Sequence, residues 1–469
     1  MNTKQLRQKI LDLAIRGKLV PQDPNDEPAS VLLERIKAEK EQLIKEGKIK
    51  RGKKSSSASD KPHYPFEIPS NWIWATLGEI SNYGICSNVA VENIPDDAWV
   101  LELEDLEKDT ARIIQRLQKS DRDIKGVRHS FERGNILYSK LRTYLNKVLV
   151  ADKSGFCTTE IIPFILYGGI NADYVNMVLR SKYFVDYTIQ CGYGVKMPRL
   201  STLDAHNGMI PIPPIQEQNR IMADVEKLML AVDTIEQEQC DLLDYTKKTK
   251  NRVLELAISG KLVPQNPDDE PASILLQKVN PNASVSTDKS HYIIPSSWVW
   301  VKLEDIFEIN PKNHNNDDDE CGFVRMANVQ DGYSGKHTFE VRKWREVKKG
   351  YCHFQNGDIA VAKISPCFEN LKSVIMRSLP NNIGAGTTEL VILRSKEVFA
   401  PYFLYLFKSP WYISKGTVYF KGVVGQQRVS RDIFTKLAVP MPPLNEQKRI
   451  VAKVDELFAL IDTIQQSLE

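Results

Sequence analysis

The sequence lacks the patterns that mark secreted and membrane proteins. Its seven cysteines among 469 residues form no CxxC pair, and their odd number argues against a complete set of disulfides. No apolar run approaches the roughly 20 residues that a membrane-spanning helix needs. The first ten residues, MNTKQLRQKI, lack the apolar core of a signal peptide. We therefore expect reduced thiols and a soluble, cytoplasmic protein that has no membrane partner.

Motifs of catalysis are also absent from the sequence. It contains no GxxxxGK[ST] phosphate loop and no HxxxH or HExxH spacing. It contains no [DNS]-P-P-[FYW] tetrapeptide, with which amino-methyltransferases hold the target amine. The segments "PIPPI" (211–215) and "PMPPL" (440–444) lack its polar first and aromatic last residue, and they favour a stiff entry into a helix. We expect no catalytic residue, no bound cofactor and no metal site in this chain.

A duplication is the main positive feature. The segment "LAIRGKLVPQDPNDEPAS" (13–30) recurs as "LAISGKLVPQNPDDEPAS" (256–273), with 15 of 18 letters identical. We call this segment the cassette. Further pairs follow in the same order, at offsets between 223 and 229: "IPSNWIWATLGEI" (68–80) with "IPSSWVWVKLEDI" (294–306), "FERGNILYSKL" (131–141) with "FQNGDIAVAKI" (354–364), "TTE" (158–160) with "TTE" (387–389), and "PIPPIQEQNRI" (211–221) with "PMPPLNEQKRI" (440–450). The shared order indicates a duplicated unit with loop insertions.

A heptad pattern predicts one helix over about 216–259, roughly 66 Å long at 1.5 Å per residue. The seam, spaced 4,3, consists of Ile221, Val225, Leu228, Val232, Ile235, Gln239, Leu242, Thr246, Thr249, Val253 and Leu256. Its first half recurs over 450–468 and its second half over 3–13, so the chain is cut within a second copy of the helix. We expect antiparallel helical elements packed through their seams. The polar seam residues leave open a local break or a register-setting role.

Each cassette is expected to end one helix and begin another. Gly17 and Gly260 stand where a left-handed C-terminal cap is needed, and Asp26 or Glu27 is expected to cap a helix through "SVLLERI" (30–36). After the first cassette, "LIKEGKIKRGKKSSSASDKP" (43–62) has no counterpart in the second copy. It is either a solvated flexible tether or a contact to DNA phosphate.

The globular parts are predicted to be α+β. Each begins with a Trp-x-Trp strand and contains short strands with one clear helix, "ADYVNMVLRSKYFVDYTIQ" (172–190) or "APYFLYLFKSPWYISKG" (400–416). The predicted architecture is two similar α/β domains separated by long antiparallel coiled-coil helices, with a pseudo-twofold internal repeat. The predicted division is a helical region with a basic linker (1–61), a first domain (62–211), a helical spacer (212–290), a second domain (291–441) and a C-terminal helix (442–469).

Two loops in each domain carry residue types that suit DNA. The loop 139–147 matches 362–370, and the loop 192–201 matches 422–430. Basic and amide side chains contact phosphates and base edges. The candidate DNA-binding residues are Lys140, Arg142, Lys147, Lys196 and Arg199 in the first copy and Lys363, Gln426, Gln427 and Arg428 in the second. Alternatively, Arg199 and Arg428 pair within the scaffold, and a structural role is favoured for the two "TTE" segments.

The duplicated cassette, "IPSNWIWATLGEI" and the "PIPPIQEQNRI" junction together resemble the specificity subunit of type I restriction-modification systems. The resemblance covers essentially the whole chain. It implies two target-recognition domains that each read half of a split double-stranded DNA target. It also implies two modification subunits, which methylate adenine with S-adenosylmethionine, and restriction subunits, which use ATP and Mg²⁺. The domains match the family only at scaffold positions, so the target sequence is not readable from them.

Two alternatives of other classes stay open on the residues alone. A DNA methyltransferase with fused recognition domains would bind S-adenosylmethionine, and the missing tetrapeptide argues against it. A coiled-coil scaffold without DNA binding would show no salt-dependent DNA affinity, which phosphate contacts require.

Overall fold

The computed structural model of the protein describes residues 2–47, 65–194, 197–285, 292–418, 420–422 and 427–468. They form two compact units, Met1–Glu238 and Gln239–Glu469. Each unit combines helices with mixed sheets, so the predicted α+β class is confirmed. The predicted basic linker lies outside the described residues from residue 48 onwards. Among the described helices, none is long and apolar enough to cross a membrane.

Within the described residues, the first unit contains three small sheets and six α-helices, and it shares a seventh α-helix with the second unit. The helices are α1 (Thr3–Ile15), α2 (Ala29–Lys45), α3 (Leu77–Ile80), α4 (Ala172–Arg180), α5 (Lys182–Cys191), α6 (Thr202–Asn207) and α7 (Ile215–Ile258). The strands are β1 (Ile73–Thr76), β2 (Ser87–Ala90), β3 (Val100–Leu101), β4 (Val127–Phe131), β5 (Ile136–Ser139), β6 (Val148–Val150), β7 (Gly155–Thr158), β8 (Ile161–Phe164) and β9 (Met209–Ile212). The sheet orders are β1-β9, β2-β4-β7-β3 and β6-β5-β8, and among the strands that the structure describes here only β3 and β7 pair in parallel.

The second unit repeats this plan with additional strands. Its own helices are α8 (Ala272–Val279), α9 (Leu303–Ile306), α10 (Trp344–Val347), α11 (Ala400–Phe407), α12 (Pro410–Val418), α13 (Asp432–Thr435) and α14 (Leu444–Leu468). The strands are β10 (Val299–Lys302), β11 (Phe307–Ile309), β12 (Glu320–Val324), β13 (Glu340–Lys343), β14 (Cys352–Gln355), β15 (Ile359–Ala362), β16 (Ser373–Ile375), β17 (Ile383–Gly386), β18 (Leu390–Ser395), β19 (Phe420–Lys421), β20 (Arg428–Val429) and β21 (Ala438–Met441). The sheet orders are β10-β21, β11-β18-β15-β16, β13-β12-β17-β14 and β19-β20. The parallel pair is β12 with β17.

Helix α7 confirms the prediction from the heptad pattern to within one residue at each end. Its seam is buried towards both ends, where Ile221, Val225 and Val253 are at most 7% exposed. The middle of the seam is more open, with Leu242 39% exposed. The seam of α7 is therefore buried near the two ends of the helix, as the heptad pattern predicts, and is more exposed at its centre.

Each unit pairs its own part of α7 with another helix. In the first unit the Thr3 hydroxyl lies 3.5 Å from a Glu236 oxygen, and the Arg7 guanidinium donates to Asp233 at 2.5 Å, so α1 runs antiparallel to α7. In the second unit Lys250 of α7 donates to Asp462 of α14. Arg7 and Lys250 occupy matching positions of the repeat, at the offset of 243. Asp233 and Asp462 also match, at the offset of 229.

The helices and the globular part of each unit share one hydrophobic core. In the first unit Ile10 of α1, Leu32 of α2, Tyr174 of α4 and Val225 of α7 belong to the same buried cluster as Trp72. The corresponding cluster of the second unit joins Trp298 to residues of α7, α8, α11 and α14. Each helical segment is therefore packed onto a domain of its own unit.

The predicted helix ends are confirmed, but the predicted cap after the first cassette is wrong. Gly17 and Gly260 adopt φ values of +67° and +72°, in the left-handed region. Helix α2 begins after Pro28 without a side-chain cap. Asp26 accepts hydrogen bonds from Arg220 instead, at 2.6 and 3.2 Å, and Glu27 pairs with Arg35. Both carboxylates are therefore engaged by arginines rather than by the amides of the helix.

The single helix predicted in each domain is also wrong, because a serine divides it into two. Ser181 has an extended backbone between α4 and α5, and its hydroxyl donates to the Val178 carbonyl at 2.6 Å and accepts from the Phe184 amide. Ser409 does the same between α11 and α12, donating to Leu406 and accepting from Tyr412. One side chain thus ends a helix and begins the next.

Candidate nucleic-acid interface

The two candidate loops of the first unit meet at the end of strand β5. The Lys140 amide donates to the Glu160 carbonyl at 3.0 Å, and the Lys140 carbonyl accepts from the Leu200 amide at 2.9 Å. The Arg142 amide donates to the Pro198 carbonyl at 2.7 Å. These bonds join segments that are far apart in sequence into one surface. We call it the first loop cluster: 139–147, 158–160, 192–194 and 197–201.

The second unit builds the same arrangement. The Lys363 amide donates to the Glu389 carbonyl at 2.9 Å, and the Lys363 carbonyl accepts from the Val429 amide at 2.8 Å. The Ser365 amide donates to the Gln427 carbonyl at 2.8 Å, as Arg142 does to Pro198. We call this the second loop cluster: 362–370, 387–389, 422 and 427–430. The backbone scaffold is therefore repeated although most of the loop side chains differ.

An arginine–glutamate pair lies in each loop cluster. Arg199 donates to Glu160 through Nε at 3.2 Å and through Nη2 at 3.1 Å. Arg428 donates to Glu389 through Nε at 3.0 and 3.1 Å and through Nη2 at 2.7 Å. The arginine side chains are 40% and 51% exposed, whereas the glutamates are 25% and 24% exposed. Each pair therefore has a covered acidic side and an open basic side.

The electrostatics of the pair favour the charged forms. The hydrogen bond from Arg428 is the largest effect on Glu389 and holds the pKa of that carboxyl below its usual range. The bonds to the glutamates raise the pKa of Arg199 and of Arg428. The first loop cluster holds Lys140, Arg142, Lys147 and Arg199 against one carboxylate, Glu160. In the second, Lys363 and Arg428 are balanced by Glu369 and Glu389. In both clusters the paired arginine offers directed N–H donors to a ligand.

The remaining candidate residues lie in varied positions. The Lys147 ammonium turns inward and donates to the Leu103 carbonyl at 2.6 Å, and burial lowers its pKa. Arg142 is half-buried, and its backbone has a φ of +52°. Gln427 is half-buried beside Arg428. Lys196 and Gln426 lie outside the described residues. The DNA contact expected of these side chains stays a prediction.

Sequence reasoning did not identify Glu160 and Glu389 as the partners of the two arginines. The pairs are 39 positions apart, so no local pattern links them. A signal did exist, because the "TTE" segments and the arginines recur at the same offset of 229. Because both motifs recur at this offset, the number of residues between the glutamate and the arginine is the same in the two copies. This constant separation is consistent with contact between them.

A second repeated arrangement lies where the cassette meets α7 or α14. Gln22 donates to Glu217 at 2.6 Å in the first unit, and Gln265 donates to Glu446 at 2.5 Å in the second. Glu446 also accepts from Trp298 Nε1 at 2.9 Å. Burial is the main influence on both carboxyls and raises the pKa of Glu217 and of Glu446.

An ion pair completes this junction in each unit. Arg449 donates to Asp269 at 2.6 and 3.2 Å, the same distances as those between Arg220 and Asp26. These bonds explain why the same glutamine (Gln22, Gln265) and the same aspartate (Asp26, Asp269) occur in both cassettes. Within the described residues, no cluster of His, Cys, Asp and Glu has the geometry to hold a metal ion.

Comparison with known proteins agrees with the resemblance in the sequence. Residues 295–469 match the family model described as type I restriction modification DNA specificity domain. The specificity subunits of the type I restriction enzymes EcoAI and EcoEI, both from Escherichia coli, are each 43% identical to this chain over 239 residues. These alignments cover 47% of this chain and 41% and 40% of the two relatives, so the matched part is under half of each relative's length.

Solved structures share the fold. One comes from work on complex assembly and conformational transition of the type I R-M system, and it matches with a TM-score of 0.61 at 16% identity. That match covers 86% of this chain and 94% of the other. The HsdS subunit from Thermoanaerobacter tengcongensis matches with a TM-score of 0.54 at 16% identity, over 86% of this chain and 93% of the other.

Proposed function

We propose that the chain is a specificity subunit of the type I restriction-modification family and that it selects the DNA target by reading two half-sites, one with each unit. The repeated loop cluster carries this proposal. Each unit presents a lysine and an exposed arginine on the same backbone scaffold, while the neighbouring side chains differ. A shared scaffold suits backbone contacts that are common to any DNA, and differing side chains suit different bases.

We assign the chemistry to other subunits. Arg199 and Arg428 are engaged with carboxylates and Lys147 with a carbonyl, an arrangement that suits binding rather than proton transfer. In this proposal the chain is non-catalytic. Modification subunits carry S-adenosylmethionine and methylate adenine, and restriction subunits supply the ATP- and Mg²⁺-dependent cleavage.

The two cassettes offer matching surfaces for two modification subunits. Internal bonds explain part of the identity between the copies, as at Asp26 and Asp269. Other identical residues are exposed and make no side-chain hydrogen bond to a described residue. They are Lys18, Pro21 and Pro24 in the first copy and Lys261, Pro264 and Pro267 in the second. We propose that each of these exposed sets contacts one copy of the same partner.

Sequencing of methylated adenines tests this function. The full chain is expressed with its modification subunits in a host that lacks other adenine methylation. We expect methylated adenines on both strands of a target made of two defined half-sites and a fixed gap. Replacement of residues 66–210 by the equivalent domain of another family member should change one half-site only.

Two outcomes would count against the proposal. Methylation at a single continuous sequence would contradict the assignment of one half-site to each unit. A change in both half-sites after exchange of one domain would contradict independent reading. As a matched control, exchange of residues 294–441 in the second unit should alter the other half-site.

A further inference from the structure

Arg199 and Arg428 each bind a glutamate through one edge of the guanidinium, and the other edge is free of any described partner. A guanidinium has five N–H donors in one plane. In both units the carboxylate takes the Nε and Nη2 donors. The remaining edge consists of Nη1 and the second Nη2 hydrogen, and no described residue accepts a hydrogen bond from Nη1 of Arg199 or of Arg428. That edge carries two nearly parallel N–H bonds.

The carboxylate fixes the plane of this free edge. Two hydrogen bonds from Nε and Nη2 to one carboxylate lock the guanidinium against rotation, and the glutamates are themselves three-quarters buried. Their backbone positions are fixed further by the bonds from the Lys140 and Lys363 amides. A locked planar donor pair loses little conformational entropy when it binds.

The charge of the pair distinguishes the two ligands that such an edge can bind. Guanine O6 and N7 in the major groove and two phosphate oxygens both accept two parallel N–H bonds. A phosphate is attracted by net charge, and the glutamate cancels the charge of its arginine. A guanine edge needs orientation more than charge. The neighbouring Lys140 and Lys363 have no carboxylate within ion-pair distance among the described residues and suit the phosphates better.

We propose that Arg199 and Arg428 each read a guanine in their half-site, and that Glu160 and Glu389 act as positioning residues for these arginines. This inference rests on the proposed function and adds base identity to it. It requires at least one G·C pair at the place in each half-site that faces the loop cluster.

The test uses the full chain in complex with its modification subunits and duplexes that carry the mapped target. Each guanine is replaced in turn by 7-deazaguanine, which keeps Watson–Crick pairing but lacks the N7 acceptor. We expect one guanine in each half-site at which this change weakens binding about five- to one-hundredfold. The Arg199→Ala variant should bind more weakly and lose its sensitivity to 7-deazaguanine at one half-site, and the Arg428→Ala variant should lose it at the other.

The positioning role has its own readout. Glu160→Gln should lower the sensitivity to 7-deazaguanine at the half-site read by Arg199, because the arginine plane is no longer fixed, and should leave the other half-site unchanged. Glu389→Gln is the matched variant with the reverse pattern. Lys140→Ala is a control that should weaken binding to every duplex and reduce the salt dependence by about one unit of slope.

Several results would overturn the inference. If Arg199→Ala keeps the full sensitivity to 7-deazaguanine, the arginine does not read N7. If Glu160→Gln lowers the melting temperature and weakens all duplexes equally, the pair is only structural. If Arg199→Ala weakens all duplexes equally and reduces the salt slope, the edge contacts phosphate. Failure of the wild-type complex to prefer its mapped target would instead overturn the proposed function.

Discussion

At the scale of single residues, a cation in each unit donates to two backbone carbonyls of a loop. Lys408 has no exposed surface and donates to the carbonyls of Gly332 and Leu371 at 2.5 and 2.7 Å. At the matching position of the first unit, Arg180 donates to the carbonyls of Asp109 and Thr110, both at 2.8 Å. Burial lowers the pKa of Lys408 to about 7, and the attraction of Asp331 only partly opposes this effect.

This lowered pKa predicts a stability that rises with pH. Below pH 7 the lysine is charged in both the folded and the unfolded state, so the folded state bears the cost of the buried charge. Between about 7 and the ordinary value of 10.5 the folded protein loses the proton while the unfolded chain keeps it. The unfolded state then binds more protons, and the free energy of unfolding increases by up to about 1.4 kcal/mol per pH unit.

Urea unfolding at pH 6.5, 7.5 and 8.5 measures this effect. The free energy of unfolding of the wild type relative to Lys408→Met should increase over this range. The exposed Lys302→Met is the control, and its difference from the wild type should stay constant. A constant difference for Lys408→Met as well would show that the buried lysine keeps its proton throughout.

At the scale of elements, the helix that ends at Gly17 illustrates how a turn and a packing contact combine. A Cβ at Gly17 would lie 2.4 Å from Pro69 Cγ and 2.7 Å from Pro69 Cδ. Gly47, at the end of α2, has nearly the same φ, +70° against +67°, but no described atom lies within 4 Å of its Cβ position. An alanine at Gly47 would therefore meet backbone strain alone, whereas an alanine at Gly17 would meet the same strain and a steric overlap with Pro69 as well.

We predict that Gly47→Ala lowers the free energy of unfolding by about 1 kcal/mol, the cost of a left-handed alanine. Gly17→Ala should cost about 2–3 kcal/mol more, because Pro69 or the helix must shift as well. Denaturant unfolding of both variants checks this difference. Equal effects would mean that the proline moves freely, and that the contact does not hold the helix end in place.

The elements also show where sequence reasoning works. The bounds of α7 were predicted to within one residue because the heptad signal extends over 36 residues, from Ile221 to Leu256, and the prolines and Gly260 mark its two ends. The division at Ser181 was missed, because one serine in an otherwise apolar helical pattern carries little local signal. The role of Asp26 was missed for a different reason, since its partner Arg220 is 194 positions away.

At the scale of the whole molecule, the duplication has a simple order. Each unit contains, in sequence, a short helical segment, the cassette, a domain and the start of a long helix. The boundary between Glu238 and Gln239 lies inside α7, so the helix that closes the first unit continues as the helix that opens the second. The two segments that match the halves of α7 in sequence form α14 and α1, each packed in its own unit.

The loop clusters could be located from the sequence only because the chain contains two copies. Lys140 and Arg199 were selected because Lys363 and Arg428 recur beside matching motifs. Which side chain faces solvent and which turns inward, as Lys147 does towards Leu103, depends on tertiary contacts that no periodicity encodes.

The continuity of α7 across the two units leads to a prediction about the gap in the proposed split target. If this helix sets the separation of the two readers, a seven-residue insertion after Glu238 lengthens it by about 10.5 Å and stops about 20° short of two full turns. The helix pairs remain intact, because the insertion lies between the residues that each unit uses. At 3.4 Å per base pair, the gap should grow by about three base pairs.

Sequencing of methylated adenines checks this outcome. The two half-sites should keep their bases while the gap lengthens. A five-residue insertion is the comparison, because it lengthens the helix by about 7.5 Å and the gap should then grow by about two base pairs. An unchanged gap in the seven-residue variant, with both half-sites still methylated, would mean that contacts other than α7 set the spacing. The paired helices would then hold each domain to its own unit without measuring the distance between the half-sites.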